Sequence, residues 1–102
     1  MDFKVLLADD EPAMRLVLRK MIEKTDGFAV AGEARDGEEA VELAASLLPD
    51  VVFLDVEMPG LSGIEAARAI SEKVPGAAII IATAHAQYMP EAFEVYAADY
   101  LI

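Results

Sequence analysis

The chain has 102 residues, of which 56% are hydrophobic, and this length suits a single compact core and one domain. Its 19 Asp and Glu against 8 Lys and Arg give a net charge of -11, which disfavours direct binding to nucleic acid or to an anionic membrane. The absence of cysteine excludes disulfides and thiolate metal sites. No basic segment of a secretory signal opens the chain, and no apolar stretch approaches the length of a membrane span.

Short apolar runs without polar alternation predict strands that are buried on both faces, as in parallel sheets. These runs are residues 5–8, 51–54 and 78–82, and weaker strand candidates are 28–34 and 100–102. Helical patterns lie between them, so strands and helices alternate along the chain. This alternation predicts an open parallel sheet with helices on both faces and right-handed crossovers.

The first helix is expected to begin near Pro12, which suits a first helical turn. Its apolar residues recur at the spacing of one helix face, which we expect to be buried. They are Met14, Val17, Leu18, Met21 and Ile22. Leu16 lies on the opposite, polar face.

The second helix is predicted to begin at Asp36, which can cap it while Glu39 reaches back, and to end at residues 49–50. Ser62 and Glu65 repeat this pattern for a third helix that ends at 75–76. A shorter fourth helix is predicted over 89–96. The expected buried residues are Ala40, Ala44, Leu47 and Leu48 in the second helix and Ile64, Ala67, Ile70 and Val74 in the third.

Three carboxylates stand where predicted strands end: Asp9 and Asp10 after the first, and Asp55 at the end of the third. In open parallel sheets the functional crevice lies at the carboxyl ends of the strands, where the strand order reverses. Like charges brought together there disfavour ionisation unless a cation intervenes, and hard oxygen ligands suit Mg²⁺. Each carboxylate alone could be a helix cap, but their convergence indicates a magnesium site.

The sequence resembles response regulator receiver domains in four segments that follow one another in the expected order. These segments are residues 7–12 (LADDEP), 52–60 (VFLDVEMPG) with Gly63, 82–84 (ATA) and 98–102 (ADYLI). The resemblance covers the whole chain. It implies an α/β fold of the flavodoxin-like kind, a three-layer sandwich with the parallel sheet order 2-1-3-4-5.

By this resemblance Asp55 is the phosphoacceptor, and Mg²⁺ is bound by Asp10 directly, by Asp9 through water, by Asp55 and by the backbone carbonyl of Glu57. Thr83 contacts the phosphoryl group and Tyr100 is the aromatic switch. Taken without the resemblance, Thr83 could equally be a β-branched strand residue and Tyr100 an aromatic residue of an edge strand.

The resemblance further implies a cytoplasmic signalling module whose partner is a sensor histidine kinase. Such a module is no enzyme beyond catalysing its own phosphoryl transfer and dephosphorylation. Residues 91–101 resemble receivers attached to LytTR-type (LytR/AlgR-like) DNA-binding domains, so the output is expected to be transcription. Any DNA contact would then lie outside this segment, and Leu16 lies on the helix where receivers often dock their kinase.

Receivers normally continue after the switch aromatic with a Lys-Pro pair and a fifth helix, whereas this sequence ends at Ile102. We therefore expect residues 1–102 to be a C-terminally truncated receiver domain. Without the lysine, phosphorylation is expected to be weaker. Without the helix, an apolar face of the sheet is expected to drive self-association.

Three other functions are compatible with parts of the sequence. A receiver-like interaction module that is never phosphorylated would fit the missing lysine. A Mg²⁺-dependent hydrolase of the haloacid dehalogenase type would use Asp55 and Glu57 as an acidic pair, although its nucleophile normally ends the first strand. A flavin binder would share the fold, but no Ser/Thr-rich phosphate loop follows the first strand.

Overall fold

The computed structural model describes residues 2–56 and 58–82, which form a parallel sheet flanked by helices. The strands are β1 (Phe3–Ala8), β2 (Phe28–Ala34), β3 (Val51–Asp55) and β4 (Ala78–Ala82), and the helices are α1 (Pro12–Glu23), α2 (Gly37–Leu47) and α3 (Gly63–Lys73). The strand order is β2-β1-β3-β4. The prediction of a doubly covered α/β sheet is thus confirmed through the fourth strand, whereas the predicted helix at 89–96 and strand at 100–102 lie outside the described residues.

The apolar runs of β1 and β3 are buried on both faces because successive side chains point to opposite sides of the sheet. On one side, Val5 and Leu7 of β1 pack with Leu18 and Ile22 of α1. On the other side, side chains of β1 and β3 pack with α2 and α3. That second cluster includes Leu6, Ala8, Val52, Leu54, Ala40, Ala44, Ala67 and Ile70. The sheet therefore holds the ends of β1 and β3 in a rigid frame.

The helix starts follow the predicted caps. Pro12 occupies the first turn of α1. The Asp36 side chain accepts the backbone N–H of Glu39 at 2.8 Å, and the Glu39 carboxylate reaches back to the N–H of Arg35 at 3.0 Å. Ser62 and Glu65 form the reciprocal capping box at the start of α3.

Three residues that we expected to be buried are exposed. Val17 lies at the border of a stripe formed by Leu18 and Ile22, and it is 42% exposed. Leu48 is the C-cap of α2 with a left-handed φ of 50°, so its side chain leaves the helix stripe and is 58% exposed. Ile64 is 50% exposed because the buried stripe at the start of α3 runs through Gly63 and Ala66, on either side of it in sequence.

An irregularity interrupts the pairing of β1 with β2. Val5 is paired with Val30, but the next residue, Leu6, is paired with Gly32, so β2 contains one additional residue at Ala31. Such a bulge bends a strand and increases its twist. None of the helices in residues 2–56 and 58–82 is long and apolar enough to cross a bilayer.

Candidate functional site

The three carboxylates predicted from the sequence converge at one edge of the sheet. Ala8 of β1 is aligned with Leu54 of β3, so the residues that follow them, Asp9 and Asp55, lie side by side at the carboxyl ends of neighbouring strands. Asp9, Asp10 and Asp55 each offer one carboxylate oxygen to a group in which all of these atoms lie within 4.8 Å of one another. The expected convergence of these three side chains is therefore present in the structure.

Burial differs among the three carboxylates. Asp9 is 7% exposed and Asp55 is 9% exposed, whereas Asp10 is exposed. Burial is the main cause that raises the pKa of Asp9 to about 6; the neighbouring charges of Asp55, Asp10 and Glu11 also raise it, and a hydrogen bond from the N–H of Glu11 lowers it. A site in which carboxylates disfavour each other's charge is stabilised by a cation, and the donor set of hard oxygens fits Mg²⁺.

Hydrogen bonds fix the turn between β1 and α1 around Asp9. The backbone N–H of Asp9 donates to the carbonyl of Ala34 on β2 at 3.0 Å. The Asp9 Oδ1 accepts the backbone N–H of Glu11 at 2.9 Å, and the Asp9 carbonyl accepts from Arg15 Nη1 at 2.7 Å. The direction in which the chain leaves β1 toward Asp10 is therefore set by contacts with β2 and α1.

Close packing fixes the other side of the site. The N–H of Gly63 donates to the carbonyl of Val56 at 3.0 Å, and a Cβ on Gly63 would overlap the carbonyl oxygen of Asp55. A Cβ on Gly37, at the start of α2, would likewise overlap the carbonyl oxygen of Leu61. Only glycine permits these approaches. The first residues of α2 and α3 therefore lie in direct contact with the segment that runs from Asp55 to Leu61.

A cleft of ≈ 490 Å³, open to solvent, adjoins the carboxylates. Asp10 and Asp55 line it, and Asp9 does not. The other lining residues are Glu11, Val56, Met58, Pro59 and Ser62. The Asp55 side chain can therefore be reached from solvent even though it is largely buried.

The remaining residues of the predicted site, Glu57, Thr83 and Tyr100, lie outside the described residues. Two residues that the sequence did not single out adjoin the site: Arg15, which contacts the Asp9 carbonyl, and Glu33, whose carboxylate lies 3.5 Å from Arg15 Nε. No motif in the sequence marks this contact, because it depends on how α1 packs against β2.

Comparison with known proteins places the chain in a family. Residues 5–102 match the family model described as the response regulator receiver domain. The chain is 43% identical over 99 residues to the positive alginate biosynthesis regulatory protein of Pseudomonas aeruginosa, covering 96% of this chain and 40% of that protein. It is 41% identical over 101 residues to the chemotaxis protein CheY of Thermotoga maritima, covering 97% of this chain and 83% of the relative.

The fold agrees with this result. The response regulator TrrA of Thermotoga maritima, whose structure was solved in complex with Mg²⁺ and BeF, is 40% identical, with a TM-score of 0.75 over 86% of this chain and 74% of that one. Receiver domains are generally signalling modules rather than enzymes, and they bind Mg²⁺ at a cluster of aspartates. With its acidic cluster at the matching strand ends and its family match over residues 5–102, the chain belongs to the response regulator receiver domains of two-component signalling.

Proposed function

We propose that this chain accepts a phosphoryl group on Asp55 from a sensor histidine kinase, in a reaction that requires Mg²⁺. The observation that carries the proposal is the convergence of Asp9, Asp10 and Asp55 beside an open cleft. The family match supports the kinase as the partner, since receiver domains interact with histidine kinases. It also supports a cytoplasmic location.

Access favours Asp55 over its neighbours as the nucleophile. Asp9 does not line the cleft. Asp10 is exposed at the rim, where it is suited to holding a hydrated ion. Asp55 lines the cleft, and its backbone is held by β3 and by the close approach of Gly63 to its carbonyl, so its side chain starts from a fixed position beside the cleft.

In the proposed reaction a carboxylate oxygen of Asp55 bonds to phosphorus as the bond from phosphorus to the kinase histidine breaks, and the imidazole leaves with its electron pair. Mg²⁺ held by Asp9, Asp10, Asp55 and the backbone carbonyl of Glu57 would offset the negative charge of the carboxylates and of the phosphoryl oxygens. The protein groups contribute by holding this geometry before the donor arrives.

The conformational response is proposed to pass through residues outside the described part of the chain. The Thr83 hydroxyl would donate to the new phosphoryl group, and Tyr100 would rotate into the space vacated by that movement. The chain spans 40% of the Pseudomonas aeruginosa regulatory protein, which supports a further output part that controls transcription. Self-association stays a prediction, and sedimentation velocity at rising protein concentration measures it.

The proposal is tested with acetyl phosphate and Mg²⁺, followed by intact mass analysis. We expect a phosphoryl adduct on the wild type and none on Asp55→Asn, because the amide keeps the shape and loses the nucleophile. Asp26→Asn, which changes an exposed aspartate elsewhere, controls for the loss of one charge and is expected to form the adduct normally. An equal adduct on Asp55→Asn, or no adduct on any variant, contradicts the proposal, and the second result favours a pure interaction module.

A further inference from the structure

We propose that Arg15 is a positioning residue for the metal site, and that Glu33 on β2 holds its side chain in place. This inference rests on the proposed function, because it concerns how the turn that carries Asp9 and Asp10 is kept ready for Mg²⁺. Neither residue is one of the expected ligands. Arg15 would act on the ion through the backbone of Asp9.

The contacts of Arg15 connect three elements. From α1, its Nη1 donates to the backbone carbonyl of Asp9 at 2.7 Å, at the end of β1. Its Nε lies 3.5 Å from Oε1 of Glu33 on β2. The side chains of Arg15 and Glu33 are only 19% and 25% exposed, so solvent screens this contact less than it screens an ordinary surface ion pair.

The geometry points to a positioning role because the Arg15 guanidinium donates a hydrogen bond to the backbone carbonyl of Asp9. That carbonyl belongs to the peptide group shared by Asp9 and Asp10, so its orientation sets the direction in which both side chains leave the backbone. The other side of Asp9 is held by Ala34 through its N–H and by Glu11 through its Oδ1. Loss of the Arg15 contact would free the peptide plane to rotate while the remainder of the turn stays anchored.

Arg19 provides a matched control on the same helix. Its Nη1 lies 3.2 Å from Oε2 of Glu33, so it shares the acidic partner of Arg15 and carries the same charge. The Arg19 side chain is 48% exposed, one helical turn farther from the site. Substitution of either arginine removes one positive charge and one ion pair to Glu33, but only substitution of Arg15 removes the donor to the Asp9 carbonyl.

The test is the Mg²⁺ dissociation constant, measured by titration calorimetry with the metal alone at a temperature where circular dichroism shows every variant to be folded. Removal of groups that orient metal ligands typically weakens metal binding by 10- to 100-fold, so we expect about tenfold weaker binding for Arg15→Gln. Arg19→Gln is expected to stay within about twofold of wild type, because its exposed charge is largely screened. Arg15→Lys keeps a donor and is expected to recover most of the affinity.

The rate of phosphorylation by acetyl phosphate gives an independent readout. For Arg15→Gln we expect a higher Mg²⁺ concentration at half-maximal rate and a maximal rate close to wild type, because saturating metal restores the turn. Equal Mg²⁺ affinity of Arg15→Gln and Arg19→Gln would overturn the inference. So would a lower melting temperature of Arg15→Gln with unchanged Mg²⁺ affinity, since that result describes a merely structural contact.

The outcomes also separate this inference from the proposed function. If wild type forms the adduct and Arg15→Gln binds Mg²⁺ as wild type does, the positioning role alone is wrong. If wild type neither binds Mg²⁺ nor forms an adduct, the proposed function is wrong and the positioning role is overturned with it.

Discussion

The two connections that carry the site's carboxylates are held by different means. The turn between β1 and α1 carries Asp9 and Asp10, and hydrogen bonds from Glu11 and Arg15 hold it. The described residues between β3 and α3 follow Asp55, and they combine one backbone hydrogen bond, from Gly63 to Val56, with close packing, since Gly63 lies directly against the carbonyl of Asp55.

This difference predicts how each side of the site fails. A hydrogen bond can be removed singly, and its loss costs a limited amount of free energy because water replaces part of it. Where two backbone segments are in direct contact, water cannot reduce the cost in this way, because an added methyl group must displace one of the segments. Mutations in the first turn should therefore give graded effects, and mutations at the glycine should give abrupt ones.

The largest effect is expected for Gly63→Ala. Its Cβ would overlap the Asp55 carbonyl, and we expect the free energy of unfolding to fall by about 2 kcal/mol although alanine is the better helix former by about 1 kcal/mol. Gly76→Ala is the control, because a Cβ there has no neighbour within 4 Å, and its stability is expected to be unchanged or slightly higher. Urea denaturation measures both. Equal stabilities would refute the packing argument.

The next effect concerns the pH dependence of stability that Asp9 contributes, which is opposite in sign to that of a carboxylate whose pKa is lowered by folding. Because the folded pKa of Asp9 is raised to about 6 from 3.8, the folded state binds the proton more tightly than the unfolded chain does. Without metal, this group's contribution to stability is present at low pH and is lost as the pH rises through the folded pKa. Asp9→Asn keeps the oxygen that accepts from Glu11 and removes the charge.

We therefore expect the stability of metal-free Asp9→Asn relative to wild type to rise between about pH 4 and about pH 7, with a constant difference above that window. Addition of Mg²⁺ at neutral pH should stabilise wild type more than Asp9→Asn, because the ion offsets the charge that the variant lacks. Denaturation curves at several pH values measure the difference. If the free energy of unfolding varied with pH in the same way for both proteins, the charge of Asp9 would not destabilise the folded state.

The smallest effect is expected for Ser62→Ala, which removes one side-chain cap from the β3–α3 connection and leaves its glycine contact intact. The Ser62 hydroxyl accepts the N–H of Glu65 at 3.2 Å, and loss of such a cap typically costs about 1 kcal/mol. Ser71→Ala, at an exposed position later in α3, is expected to change stability by less than about 0.5 kcal/mol. A larger loss for Ser62→Ala than for Gly63→Ala would reverse the proposed ranking.

Local sequence patterns were sufficient for much of the fold and for the core of the site. Apolar runs identify buried strands, and the caps at Asp36 and Ser62 mark helix starts, because both signals depend on neighbours in sequence. The convergence of Asp9 with Asp55 was predictable for a similar reason. Once the strands are parallel neighbours, their carboxyl ends must share one edge of the sheet.

Features that depend on packing between elements were not predictable from the sequence. Val17 and Ile64 are exposed although the other expected residues near them are covered, since the neighbouring layer decides which residues at the border of a stripe are buried. Leu48 is exposed because its left-handed backbone ends the helix. The contact of Arg15 with Glu33 depends on the distance between α1 and β2, and no local sequence pattern specifies that distance.

The additional residue at Ala31 has a consequence for how this molecule meets others. Within residues 2–56 and 58–82, β2 is the outermost strand on its side of the sheet. A straight outer strand presents unpaired backbone groups with which extended segments of other chains can pair to form aggregates, and a bulge in that strand disfavours this pairing. We expect the edge of the sheet at β2 to resist such pairing.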